Sequence, residues 1–382
     1  MKNMSKDAGL INCLNIRRII KASVFLRILA VVTSCCFTFA SEPTLNAYEN
    51  DEAGLTRYEF KAEKMGVPVR ILAYASNETQ VNSAVEKVWK RFDELNAILS
   101  DYDPESEVIR ACRDFGGTGN YAAVSVDLRR ALEESRKYCV LTDGAFDPTV
   151  SPIVKLWRRS RIFHERPPQG VLASAKTKIG LNVWDLSESG LKTENGVRLD
   201  FGGIAKGIAL DESLEIMRKF GITSVLIDAS GDLRIGDPPP GQDGWIVGVA
   251  SLLDKPAFYC ALSNVGIASS GDANRYVVID GVRYSHIIDP RTCEPLTQRC
   301  VSAVMAPDAT SADALASALC VLGKGAPPIF ERIRKEGVEP LEYILLTVKP
   351  EVEELRSNDE VDVLATPEFS RLFEESNSAD AK

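Results

Sequence analysis

The run Gly202-Gly203-Ile204-Ala205-Lys206-Gly207 joins a short apolar stretch, Val197-Arg198-Leu199, to a segment whose apolar face is Ile208, Leu214, Met217 and Phe220. Few folds accommodate such a run. A strand-like entry must turn sharply into a helix, and the paired glycines let backbone N–H groups approach a ligand closely. The helix N-terminus carries partial positive charge and Lys206 adds a full one, which suits a phosphate. Taken alone, the run reads equally as a glycine-lined turn into a surface helix with a solvated lysine. A lysine in the first turn meets the positive end of the helix dipole, so it requires an anionic neighbour.

Two stretches downstream favour the phosphate reading. In Ser311-Ala312-Asp313-Ala314-Leu315-Ala316-Ser317-Ala318, Asp313 and Ser317 are four apart on an apolar-periodic segment, so both oxygens leave one helix face. Carboxylate plus hydroxyl opposite a phosphate-cradling turn can hold Mg²⁺, which takes a few protein oxygens and leaves the rest of its shell to water and substrate phosphates. The second stretch is Ser285-His286-Ile287-Ile288-Asp289-Pro290-Arg291-Thr292, which contains one of the chain's two histidines. His286 reads as a general base or as a core histidine satisfied by Asp289.

The 382 residues carry a net charge of −9, which argues against nucleic acid as a partner. Residues 1–40 differ from the rest: Lys2, Lys6, Arg17, Arg18, Lys21 and Arg27 precede the apolar, small-residue-rich run 28–40, an export-signal pattern. That run falls short of the roughly 20 residues a membrane span needs. Val32-Thr33-Ser34-Cys35 resembles a lipobox, which would make Cys35 the lipid anchor; Thr38-Phe39-Ala40 offers an ordinary cleavage site instead. Of nine cysteines, Cys112, Cys139, Cys260, Cys293, Cys300 and Cys320 lie beyond the leader, with no C-x-x-C, so a zinc site is not expected. Cys139 and Cys320 fall on apolar helix faces and read as buried thiols.

Residues 41–54 are polar and acidic and read as a tether, residues 55–348 as the body, and the acidic residues 349–382 as a tail that frays. Within the body, Tyr58-Glu59-Phe60 and Val69 to Tyr74 read as strands around a turn at Met65-Gly66. Val81, Ala84, Val85, Val88, Trp89, Phe92, Leu95 and Leu99 keep helical spacing. Asp147-Pro148 reads as a helix cap, and Asp280-Gly281 as a hairpin turn between short strands. Helices and strands are interspersed without regular βαβ alternation, which predicts an α+β fold with mainly antiparallel sheets and packed helices.

From about Phe60 to Leu346 the chain resembles the ApbE-type FAD:protein FMN transferases, in the family's motif order. The resemblance is carried by Met65-Gly66; Leu99-Ser100-x-Tyr102 with Ser106-Glu107; Gly144-Ala145-Phe146-Asp147-Pro148; and the Leu199 to Gly207 run. It continues through Gly231-Asp232, Ser270-Gly271-Asp272 with Arg275-Tyr276, His286 to Thr292, and Ala312 to Ala318.

The resemblance implies a single large T-fold-related catalytic domain. It also implies an enzyme that takes FAD, breaks its pyrophosphate with Mg²⁺, and attaches FMN by a phosphoester bond to a Thr or Ser hydroxyl of a membrane redox subunit, releasing AMP. Met65, Tyr102, Ala145, Phe146, Asp147, Asp200, Lys206 and Ile287 match positions that hold FAD. The Gly203 carbonyl, Asp313 and Ser317 match the metal ligands, and His286, Lys206 and Asp313 are the catalytic candidates. It further implies an exported protein on the periplasmic face of a bacterial inner membrane. With water as acceptor, the same site is an FAD pyrophosphatase; without chemistry, it is an FAD-binding lipoprotein. In two places the sequence departs from the family pattern. Cys293 replaces a glycine, which strains the turn if that position needs positive φ. Ser317 replaces a threonine, keeping the hydroxyl and losing the methyl that limits its rotamers.

Overall fold

A computed structural model describes residues 44–50 and 54–380, apart from 251, 254–255, 273–274, 351, 353–354 and 358–359. The leader and Cys35 lie outside the described residues. The chain opens with strands β1 (Thr44–Asn50), β2 (Thr56–Lys64) and β3 (Val67–Ala75). Helices α1 (Glu78–Leu99), α2 (Glu107–Phe115), α3 (Val126–Leu141), α4 (Ser151–Phe163) and α5 (Gln169–Lys176) follow. A hairpin of β4 (Trp184–Ser187) and β5 (Gly190–Thr193) leads to α6 (Ala205–Lys219). Next come β6 (Val225–Ala229), β7 (Asp232–Ile235), β8 (Trp245–Val249), β9 (Phe258–Leu262), β10 (Gly266–Gly271), β11 (Tyr276–Ile279) and β12 (Val282–Ser285). The rest is β13 (Ile288–Asp289), β14 (Glu294–Pro295), β15 (Cys300–Ala306), α7 (Ala309–Leu322), α8 (Ala326–Lys335), β16 (Glu342–Val348), β17 (Val361–Ala365) and α9 (Pro367–Asp380).

Strands β1-β2-β3-β6-β7-β10-β15-β16-β17 form one sheet in that order, every neighbouring pair antiparallel. The fold is therefore α+β with antiparallel sheets, as the interspersed pattern predicts. Both faces of the sheet are covered, and strand alternation divides the residues between them. Along β15, Cys300 and Val304 face a large core with the apolar faces of α1, α6 and α7, while Val301 and Ala303 face a second core. The second core holds Trp245 and Val247 of β8, Phe258 of β9 and Phe369 of α9. A third, smaller core packs Ile153 and Trp157 of α4 against Val277, Ile279 and Tyr284 of the β11–β12 hairpin, with Ile288 and Cys293 beside them.

Two boundaries read from composition are corrected. Within the proposed tether, residues 44–50 are β1, paired along β2 from Thr44 opposite Lys61. Within the proposed tail, β17 extends the sheet beside β16, with Ile344 opposite Ala365, and α9 buries Phe369 and Phe373. The acidic residues mask a short alternation, Val361-Asp362-Val363, that the exposed edge of β16 pairs with.

The turns are as read. Met65 (φ 50°) and Gly66 (φ 72°) make the two-residue turn between β2 and β3, and Asp280 (φ 52°) and Gly281 (φ 77°) the one between β11 and β12. Cys139 and Cys320 are buried free thiols.

Candidate active site

Helix α6 begins without a side-chain cap at Ile204. Of its first-turn donors, the Ala205 N–H bonds the Phe201 carbonyl at 2.8 Å and the Gly207 N–H bonds Asp313 Oδ2, from α7, at 3.2 Å; in the turn before the helix, Asp200 Oδ1 accepts the Gly202 N–H at 2.8 Å. The two helices lie this close because residue 207 has no side chain. A Cβ there would stand 2.6 Å from Thr310 Cα and collide with the Ala309 carbonyl. The glycine in the run therefore serves helix packing, and that packing delivers Asp313 to the head of α6.

Lys206 finds its anionic neighbours in Asp232, at the start of β7, and in Asp313, whose Oδ1 is 3.4 Å from Nζ. Asp200 does not pair with it; that carboxylate meets Arg158 at 3.5 Å. Although burial opposes the charge, Asp313 and Asp232 hold Lys206 above the ordinary lysine range. Burial pushes the Asp313 carboxyl upward, against the pull of Lys206. Asp232, 3% exposed, has its other oxygen bonded to the Ser269 N–H at 3.2 Å. It reaches the site through a turn in which Ser230 (φ 59°) and Gly231 (φ 97°) are both left-handed.

Asp313 and Ser317 do share one face of α7. A Cβ at Gly203 would lie 3.3 Å from Ser317 Oγ and 3.3 Å from Phe146 Cε2, so the glycine seats its backbone between that hydroxyl and that ring. Ser270 approaches Ser317 with 3.1 Å between hydroxyls. Among the described residues no cluster of three or more His, Cys, Asp or Glu side chains could hold a metal. The donors on this face of α7 are one carboxylate and one hydroxyl, with the Gly203 backbone packed beside the hydroxyl. These are hard oxygens, too few to fill a shell, and they fit Mg²⁺ better than a soft or fully caged metal.

The remaining predicted residues surround this centre unevenly. Ala145 and Phe146 are buried, Phe146 being fixed by its N–H to Thr142 Oγ1 at 3.0 Å. Asp147 Oδ1 accepts the Thr149 N–H at 2.8 Å and the Thr149 hydroxyl at 2.6 Å, so it is the cap that Asp147-Pro148 suggests. Burial raises its carboxyl above the usual range. Met65 is half-buried in its turn, and because Val69 pairs with Ala229 and Ala229 with Asp232, that turn leaves the sheet at the same end as Asp232. Tyr102 is 75% exposed and stacks under Arg158, whose guanidinium carbon is 4.3 Å from the ring centre. Arg158 also bonds Asp101 at 2.8 Å, tying Tyr102 to Asp200. Neither Arg158 nor the role of Asp232 was apparent from sequence, though Gly231-Asp232 stands out as a motif.

His286 donates its backbone N–H to the Arg275 carbonyl at 2.8 Å, and its Nδ1 is 3.2 Å from the same oxygen. A carbonyl only accepts, so Nδ1 carries the proton and Nε2 keeps a free lone pair. Asp289 is not its partner; that carboxylate binds Arg291 at 2.8 Å. Burial, with Arg275 and Arg161 nearby, lowers the imidazole to about 4. His286 is thus neutral at physiological pH, as a general base must be. Ile287 beside it is half-buried against the large core. In the adjoining turn Cys293 sits at φ 66°, the left-handed conformation its position demands.

Residues 65–339 match the ApbE family. A Haemophilus influenzae protein named FAD:protein FMN transferase is 27% identical over 255 residues, 63% of this chain and 72% of the relative. One of the same name from Rhodobacter capsulatus is 28% identical over 81% of this chain, which spans 57% of that relative's length. The solved ApbE protein of Thermotoga maritima superposes with a TM-score of 0.70 at 28% identity, covering 83% of this chain and 99% of the other. The apo Pseudomonas stutzeri flavinyl transferase ApbE gives 0.71 at 23% identity, over 85% and 98%, a likeness of fold.

Proposed function

The chain belongs to the ApbE family, and from that premise we propose that it is a Mg²⁺-dependent FAD:protein FMN transferase. The reading rests on one observation: Asp313, Ser317 and the Gly203 turn meet beside Lys206 at the head of α6. The names of the relatives support it. Phosphoryl transfer asks a protein mainly for positioning and charge neutralisation, and these residues supply both.

The acceptor hydroxyl oxygen of a Thr or Ser bonds to the FMN phosphorus as the bond from that phosphorus to the bridging oxygen breaks. AMP leaves with the electron pair, and His286 Nε2 takes the hydroxyl proton. The Lys206 ammonium faces the phosphates. Mg²⁺ held by Asp313, Ser317 and the Gly203 carbonyl would neutralise charge gathering on the leaving phosphate. Phe146, Met65, Ile287 and Tyr102 supply the apolar and aromatic surface for the rings of FAD, and Asp147 and Asp200 the polar framing.

The test is to incubate the protein with FAD, MgCl₂ and a redox subunit carrying an acceptor threonine. Flavin fluorescence that stays with the denatured acceptor band, with stoichiometric AMP, is the expected result. Free FMN with AMP would identify a pyrophosphatase instead, and bound, uncleaved FAD a carrier. We further propose export to the periplasmic face of the inner membrane with lipid attached at Cys35; Cys35→Ala should then move the protein from the membrane fraction to the soluble one.

A further inference from the structure

Three charged groups meet within the site: the Lys206 ammonium and the carboxylates of Asp232 and Asp313. The sharing is unequal. Lys206 lies closer to Asp232, while its approach to Asp313 is a long 3.4 Å. Each carboxylate has its other oxygen fixed by a backbone donor, Asp232 by Ser269 N–H and Asp313 by Gly207 N–H. Asp313 Oδ1 is therefore the oxygen left with free coordinating capacity, and Asp232 Oδ2 is the one that keeps the ammonium.

That division solves an electrostatic problem. A divalent cation on Asp313 and an ammonium one side chain away repel strongly at low dielectric. With both carboxylates the site holds a net negative charge before the cation arrives; with Asp313 alone the lysine would already neutralise it. We propose that Asp232 is a positioning residue: it holds Lys206 off Asp313 so that the lysine and a divalent cation occupy one site together. This inference rests on the proposed Mg²⁺-dependent chemistry and assigns Asp232 no contact with the substrate.

The experiment is titration calorimetry with MgCl₂ alone, on wild type, Asp232→Asn and the double variant Lys206→Met/Asp232→Asn, with FAD cleavage followed on wild type. Asp232→Asn keeps the shape of the side chain and leaves Lys206 to compete for Asp313, so Mg²⁺ affinity should fall about tenfold or more. Removing the lysine as well should restore it to within about threefold of wild type, since the competitor is gone. A merely structural Asp232 would not be rescued by a second substitution. Unchanged Mg²⁺ affinity in Asp232→Asn overturns the inference. So does a double variant as weak as the single one, which would make Asp232 a ligand or a fold element. If wild type binds Mg²⁺ and cleaves FAD while either of those results is obtained, the inference alone fails; if wild type does neither, the functional reading fails with it.

Discussion

Asp313 caps the helix that begins beside Lys206: its Oδ2 accepts the Gly207 N–H at 3.2 Å. One carboxylate thus joins two helices and offers its other oxygen to the site. Asp313→Ala should abolish FMN transfer and also lower the stability of the ligand-free protein by about 1–3 kcal/mol, through the lost cap and the lost partner of Lys206. Asp313→Asn can still accept the N–H, so it should abolish transfer at less than half that cost. Urea denaturation without ligand, run beside the transfer assay, separates the two. Equal stability loss in both variants would mean that the charge, not the cap, matters to the fold.

The imidazole of His286 is lowered to about 4. Transfer should therefore stay flat from pH 8 down to about pH 6 and decline only toward pH 4, provided acceptor and Mg²⁺ binding are saturated. For stability, the unfolded chain binds a proton near its ordinary value of 6.5 while the folded chain refuses it until about 4. The His286 contribution is complete above pH 6.5 and is lost as pH falls through that window. Carbon-13 NMR of labelled imidazole would follow the titration directly; a midpoint near 6.5 would refute the assignment.

Gly207→Ala ought to stabilise an ordinary helix by about 1 kcal/mol. Here the new Cβ would meet backbone of α7 at Thr310 and Ala309, and backbone cannot rotate away. We expect a loss of about 3 kcal/mol or more, with transfer reduced beyond what the unfolded fraction explains, because Lys206 and Asp313 separate. A melting curve and a rate measured well below its midpoint test this. A stabilised, active variant would disprove the packing argument.

At position 293 the usual order of substitutions should invert. Cys293 is buried yet left-handed at φ 66°. Cys293→Ala keeps a Cβ in that conformation and loses the sulfur, at about 1–2 kcal/mol. Cys293→Gly removes more atoms but relieves the strain, so it should cost no more than alanine. Denaturation midpoints for the pair give the answer, and a clearly less stable glycine variant would show the strain to be negligible.

The sequence carried the local information well. The Met65-Gly66 and Asp280-Gly281 turns, the long helix ending at Leu99, and the placement of Asp313 and Ser317 one turn apart follow from residue type and spacing, which act over a few residues. What stayed hidden is non-local. The nearer partner of Lys206 is Asp232, reached only after α6 and β6, and no periodicity reports which carboxylate the sheet will bring there. Likewise β17 exists because β16 offers an unpaired edge, while its own acidic composition suggests a frayed tail. Tyr102 matches a position that holds FAD in the family, and nothing in its spacing shows that Arg158 holds its ring at the surface.

The small core around Trp157 and Tyr284 has a consequence for how the molecule can fail. His286 follows β12, a strand of that core, whereas Lys206, Asp232 and Asp313 stand on elements that pack into or beside the nine-stranded sheet. The proposed base thus follows a strand of the small core while the phosphate-handling groups stand on or beside the large sheet, so local opening can differ between them. In hydrogen exchange, amides of the β11–β12 hairpin should open at lower free energy than those of β10 and β15. An opening of that hairpin alone would disarm the base while the sheet kept its protection, so the enzyme would lose turnover before it lost its fold.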